Sequence, residues 1–231
     1  MIIATFLYDG FTMLDAVGPV EVLSMLPEVE TRVLAKESGV VWPDNQAMPF
    51  VAPFGIADCD RIDVLLIPGG PGCLAITQDQ TVLQWIARVH ERTRFTCSVC
   101  TGSVILGAAG LLSGLPATSH WTTLSALEPL GATPVAKRWV QNGRIITAAG
   151  VSAGIDMALE VATQLAGEKA ARAVQLALEY DPKPPLDSGD YQTASPDIRA
   201  SLFDGTVAFD RRSRARPAMP DWQQTTLARE R

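Results

Sequence analysis

Short apolar runs that alternate with helically spaced segments constrain this 231-residue chain more than any other feature. Ile2–Tyr8 ends in Asp9-Gly10. From Met13 to Leu26, residues Leu14, Val17, Val22, Leu23 and Leu26 then fall at helical spacing, closed by Pro27. Thr31–Ala35 and Val40–Trp42 read as strands, and Arg61–Pro68 as a buried strand running into Pro-Gly-Gly-Pro-Gly. Val82, Leu83, Trp85, Ile86 and Val89 mark an amphipathic helix ahead of a strand at Phe95–Val99. Ser103–Leu112 reads as an apolar helix stopped by Gly114, and Trp121–Leu130 as another helix. Strands at Arg138–Gln141 and Arg144–Ala148 flank Asn142-Gly143, a hairpin signal. Ser152 reads as the N-cap of a helix running to Gly167. Glu168–Tyr180 follows as a second helix, with a short one near Asp197–Phe203. This alternation predicts an α/β fold: a mostly parallel sheet with helices on both faces, binding ligands outside the carboxyl ends of its strands.

Composition narrows the function. Apolar residues make up 47% of the chain and charged residues 19%, enough for a large core. A net charge of −6 speaks against nucleic acid as a partner. No run approaches the roughly 18 apolar residues of a membrane span, and Met1-Ile2-Ile3-Ala4 enters a strand with no basic segment before it. Cys59, Cys73, Cys97 and Cys100 form no secreted disulfide framework, so a cytoplasmic protein with reduced thiols is expected. Residues 211–231 carry six arginines against Asp221 and Glu230. The expected organisation is one domain over 1–204 and an Arg-rich, poorly ordered tail over 205–231.

The chemistry centres on Cys97-Ser-Val-Cys100-Thr-Gly-Ser103. A strand that turns abruptly into a helix presents its turn residue at the sheet's carboxyl edge, with the helix N-terminus behind it. Cys100 occupies that turn. The helix dipole and nearby backbone N–H groups favour a thiolate there. Cys97, still on the strand, reads as a small buried hydrophobe. A zinc site is not indicated, because the other cysteines and the two histidines show no ligand spacing. Gly69 and Gly70 follow the strand expected beside that of Cys100, and are candidate backbone donors to developing negative charge. Asp15, early in the first helix, is the candidate proton carrier, with Glu21 as its rival. His90 is expected on an exposed helix face. His120, Trp121, Gly150 and Val151 are candidates for the substrate pocket; Phe11 and Ile155 could line it too, though Phe11, Trp121, Val151 and Ile155 each read more readily as core.

Together FTMLDAVGPVEVL, IPGGPG, SVCTGSVILGAAGLLSG, ATSHW, GVSAGIDMALEVA and EYDPKPPLDSG resemble the ThiJ/PfpI superfamily of class I glutamine-amidotransferase-like domains. The resemblance implies a flavodoxin-like three-layer sandwich and a homodimer. The isonitrile hydratase branch is the most similar one. It pairs an elbow cysteine followed by threonine with an aspartate on the first helix, which here are Cys100, Thr101 and Asp15. Protease-like members carry histidine after the cysteine, and many others carry glutamate on the first helix; this chain has neither. Transcription factors with this domain add a helix-turn-helix region, for which the stretch after Asp204 is too short. The implied activity is cysteine-dependent hydration of a small-molecule isonitrile to an N-substituted formamide through a thioimidate, with no cofactor and no metal. The alternatives are a redox or small-molecule sensor and a glyoxalase-type thiol enzyme.

Overall fold

The computed structural model describes residues 1–59 and 61–207. The arginines at 211–231, and nearly all of the expected tail, lie outside the described residues. In chain order the elements are β1 (Ile2–Phe6), α1 (Met13–Ser24), β2 (Glu30–Ala35), β3 (Gly39–Val41), β4 (Phe50–Ala52), β5 (Phe54–Gly55) and β6 (Val64–Ile67). Then come α2 (Cys73–Ile76), α3 (Gln80–His90), β7 (Phe95–Val99), α4 (Gly102–Ala108), β8 (Pro116–Ala117) and β9 (Thr133–Pro134). β10 (Trp139–Asn142), β11 (Ile145–Ala148), α5 (Ala153–Ala166), α6 (Glu168–Ala177) and α7 (Pro196–Ser201) complete the described chain.

A seven-stranded sheet runs in the order β10-β11-β7-β6-β1-β2-β5. Every neighbouring pair is parallel except the β10–β11 hairpin. Strand residues alternate between two cores, as a pleated sheet covered on both faces requires. Leu65 and Ile67 of β6 join Phe6, Trp85, Ile86 and Ile105 on one face. Val64 and Leu66 join Ile3, Cys97, Val99, Met157 and Val161 on the other. The fold is the expected α/β sandwich, with α1, α5 and α6 on one side and α3 and α4 on the other.

Several boundaries differ from the sequence reading. α4 ends at Ala108 instead of reaching Leu112, because Gly110 takes a left-handed φ of +79° and turns the chain. Trp121–Leu130 is a 3-10 segment, with Pro129 inside it and Leu127 as its one buried residue, too little apolar surface to hold an α-helix against the core. Ser152 precedes α5 but makes no side-chain cap; its hydroxyl instead accepts from Arg138. His90 is half-buried, not solvent-facing, and its Nδ1 lies 2.9 Å from Thr96 Oγ1. Burial and the Arg144 charge lower its pKa. Phe11 is fully buried and meets Phe50 edge-on at 5.2 Å, which makes it core.

The register places the carboxyl ends of β1, β6, β7 and β11 along one edge, where Ile67 opposes Ser98 and Val99 opposes Ala148. The loops at 7–12, 68–72, 100–101 and 149–152 therefore gather there. No helix among the described residues is long and apolar enough to cross a membrane.

Candidate active site

Cys100 links β7 to α4 at φ +57°, a left-handed conformation rare for a residue with a Cβ. Holding it costs about 1–3 kcal/mol. Its own N–H is shared between the carbonyls of Ala148 and Ala149, both at 3.0 Å, and Ser119 Oγ donates to its carbonyl at 3.1 Å. The elbow is thus fixed from both sides. The side chain is only 6% exposed, and the N–H groups of Thr101 and Val151 face the sulfur.

Asp15, on the first turn of α1, has no exposed surface. The helical spacing puts Leu14 and Val17 on the apolar face of α1, with Asp15 between them in the chain. Instead Leu14 and Val17 are 41% and 38% exposed, and the carboxylate is the buried group. Oδ2 accepts from Gly69 N–H at 2.9 Å. Oδ1 has no nitrogen or oxygen partner among the described residues, and the carboxyl meets the Cys100 thiol. Burial raises the Asp15 pKa to about 7, only partly offset by the Gly69 N–H and the thiol, and Asp44 pushes it further up. Glu21, the rival, is exposed on α1.

Burial and the Asp15 charge push the Cys100 thiol well above its usual range, against the pull of the Thr101 and Val151 N–H groups. The expected resting thiolate is therefore corrected. Desolvation outweighs the dipole of a seven-residue helix, and the elbow holds a protonated thiol beside an acid poised near neutrality. Cys97 lies in the core at 1% exposure, and burial alone pushes its thiol up to about 12.

The loop at 68–72 fits against the elbow with no room for side chains. A Cβ on Gly69 would lie 2.4 Å from Thr101 N and 2.8 Å from Cys100 Cβ. Gly70 has φ +125°, and a Cβ there would lie 2.3 Å from Gly10 O. The two glycine N–H groups are committed, however. Gly69 donates to Asp15, and Gly70 donates to Thr101 Oγ1 at 2.8 Å, whose hydroxyl donates back to Gly70 O at 3.1 Å. The donors aimed at the sulfur are Thr101 and Val151 in place of Gly69 and Gly70, because the aspartate and threonine side chains reach the loop first.

His120 packs its ring on Gly150, where a Cβ would stand 2.7 Å from His120 Cδ2. Burial lowers its pKa, and its Nδ1 accepts from Thr122 N–H at 3.3 Å. Trp121 lies 5.4 Å from the His120 ring and stacks on Tyr191 at 3.9 Å. Ile155 is half-buried on α5, close to Gly18 of α1. The sequence reading missed three neighbours of the acid and the thiol: Tyr8, Asp44 and Cys73. Cys73, Asp15, Cys100 and Asp44 all lie within electrostatic reach of the Tyr8 phenol, and the Cys73 thiol bonds Thr101. Tyr8 and Asp44 come from loops and Cys73 opens α2, and no local motif marks them. A separate open cleft of about 380 Å³ between β10, α5 and α6 contains none of these groups. Among the described residues, no three of His, Cys, Asp and Glu are grouped to hold a metal ion.

Over 217 residues the chain is 39% identical to the isonitrile hydratase of Pseudomonas putida, spanning 94% of this chain and 91% of that protein. A ThiJ/PfpI family protein of known structure from Pseudomonas syringae superposes with a TM-score of 0.85 at 37% identity, over 91% of this chain and 88% of that one. The transcriptional regulator GbdR of Pseudomonas aeruginosa is 27% identical over 78% of this chain, which matches only 50% of the regulator. The model of the DJ-1/PfpI family matches residues 1–164. The chain belongs to the DJ-1/PfpI family.

Proposed function

We propose that this protein hydrates an isonitrile to an N-substituted formamide, with Cys100 as nucleophile and Asp15 as proton carrier. The observation that carries the reading is the buried pair itself: a protonated thiol at a strained elbow, against a carboxyl whose pKa is about 7. An isonitrile carbon must receive a nucleophile and a proton together, and a thiol–carboxylate pair supplies both. The identity to the Pseudomonas putida hydratase supports the same chemistry.

In this reading Cys100 sulfur attacks the terminal carbon while its proton passes to Asp15. Asp15 delivers that proton to the same carbon, giving a thioimidate, S–CH=N–R. The Thr101 and Val151 N–H groups stabilise charge on the sulfur as the proton leaves. Asp15 then takes a proton from water as the water oxygen adds to the thioimidate carbon, and passes that proton to the nitrogen, which becomes N–H. Breakage of the C–S bond releases the formamide, and the sulfur recovers its proton. Water is the only other reactant consumed.

The test is incubation with a simple aryl or alkyl isonitrile. Wild type should accumulate the formamide and Cys100→Ala should not; equal turnover by Cys100→Ala overturns the assignment. The sensor alternative draws less support, because a buried thiol with a raised pKa oxidises reluctantly. The same reading includes pairing of two copies across the exposed Leu14 and Val17 on α1, checked by light scattering.

A further inference from the structure

We propose that Tyr8 is a positioning residue that sets Asp15 through the Pro68–Gly69 peptide: the Tyr8 hydroxyl donates to Pro68 O, and the Gly69 N–H of the same peptide donates to Asp15 Oδ2. The distances are 2.8 Å and 2.9 Å, and both bonds are buried. The inference rests on the reading of Asp15 as proton carrier for Cys100.

A peptide group is planar, so its C=O and N–H turn together. A donor locked on the oxygen fixes the direction of the N–H. It also polarises the amide, which makes the N–H a stronger donor at the other end. Tyr8 is suited to the task. It follows β1 at the sheet's carboxyl edge, is 5% exposed, and has its ring held 6.1 Å from that of Phe6. Burial and the neighbouring Cys73, Asp15, Cys100 and Asp44 keep its phenol well above the usual range, so it remains a donor at any working pH. The adjoining peptide is wired in the same sense. Thr12 N–H donates to Gly69 O at 2.8 Å, and Gly70 N–H donates to Thr101 Oγ1. Two consecutive peptides of the loop thus relay contacts from the β1–α1 segment to two groups beside the Cys100 sulfur.

The groups facing the Asp15 carboxyl are the Cys100 thiol, the Gly69 N–H, Asp44 and the Tyr8 phenol. Among these, Tyr8 acts through a bond to a peptide and not through charge, which allows a test with two opposite signs. Tyr8→Phe weakens the Gly69 donor and destabilises the carboxylate. 3-Fluorotyrosine at position 8 is a stronger donor and stabilises it. The readout is the Asp15 carboxyl carbon, followed by carbon-13 NMR in aspartate-labelled protein, with Asp15→Asn giving the assignment. The midpoint should rise by about half a unit in Tyr8→Phe, the scale of one weakened hydrogen bond to an ion, and fall in the fluorotyrosine protein. Midpoints unchanged in the fluorotyrosine protein, or moving the same way in both, overturn the inference. Should Tyr8→Phe fail to fold, the fluorotyrosine shift alone decides. Turnover is scored separately. Moved midpoints without isonitrile hydration sink the proposed reaction and leave the relay standing; turnover with unmoved midpoints sinks the relay alone.

Discussion

Gly69 N–H donates to Asp15 Oδ2 at 2.9 Å across 54 positions of chain, and that bond ties the loop after β6 to the first turn of α1. It lowers the pKa of an acid that burial has raised to about 7. The carboxyl is thereby left divided between its two forms at neutral pH, the condition under which one group both accepts and donates a proton efficiently.

Asp15 should cost the fold stability. Its folded pKa of about 7 stands above the ordinary aspartate value of 3.8, so between those values the folded state binds more protons than the unfolded state. Stability contributed by this group therefore falls as pH rises from about 4 to about 7, by up to roughly 4 kcal/mol in total. Asp15→Asn should lose turnover by about 10²-fold or more. Its melting temperature, relative to wild type, should climb between pH 4 and about pH 7 and level off above that. A difference independent of pH would remove the raised pKa from the account.

The two cysteines of the Cys97–Cys100 stretch should separate cleanly. Cys97 faces the core beneath α5, and burial pushes its thiol up to about 12, out of reach of chemistry near neutrality. Cys97→Ala should lower stability by about 1–2 kcal/mol through a small cavity and leave kcat nearly unchanged. Cys100→Ala should abolish turnover. A thioimidate found by peptide mass spectrometry on Cys97 instead of Cys100 would reverse the assignment.

Much of this arrangement was legible in the residues. The apolar run at Arg61–Pro68 and the stretch at Phe95–Val99 gave β6 and β7, Asn142-Gly143 gave the hairpin, and the strand–Cys100–helix pattern gave the elbow. What was hidden depends on which atoms meet across the fold. Of the apolar positions read from Met13 to Leu26, Val22, Leu23 and Leu26 are buried, yet Leu14 and Val17 stand exposed and Asp15 between them is fully buried. Gly69 and Gly70 announce a tight loop. Nothing near them announces that Asp15 and Thr101 already hold their N–H groups. Tyr8, Asp44 and Cys73 join the cluster only through topology. β4, β5 and the four-residue α2 are too short for periodicity to register.

Gly69→Ala should damage both fold and chemistry. The new Cβ would stand 2.4 Å from Thr101 N, a backbone atom that cannot swing aside as a side-chain end could. Relief requires the 68–72 loop and the Cys100 elbow to separate, which lengthens the Gly69–Asp15 bond and turns the Thr101 N–H from the sulfur. A stability loss of about 1–3 kcal/mol is expected from such overpacking, with turnover falling well beyond the unfolded fraction. Activity kept per folded molecule would show that the close fit of loop and elbow is not required.

Tyr191 should act on substrate binding through Trp121. Their rings stack at 3.9 Å with 9° between planes, Phe203 meets Trp121 edge-on at 6.4 Å, and Arg199 lies over the Tyr191 ring at 5.4 Å. This clamp holds the indole beside His120, whose ring rests on Gly150, one residue from the Val151 N–H that faces the Cys100 sulfur. Tyr191→Ala removes a stack worth about 0.5–1.5 kcal/mol, a small change in melting temperature for a chain of this size. Its main effect should be on KM for a bulky aryl isonitrile, raised several-fold with kcat little altered, because the ring contacts of Tyr191 are to Trp121 and Arg199 and not to Cys100 or Asp15. Tyr191→Phe keeps the ring and should restore the wild-type KM. A fall in kcat at constant KM would mean that the Trp121 wall borders the chemistry and not the substituent.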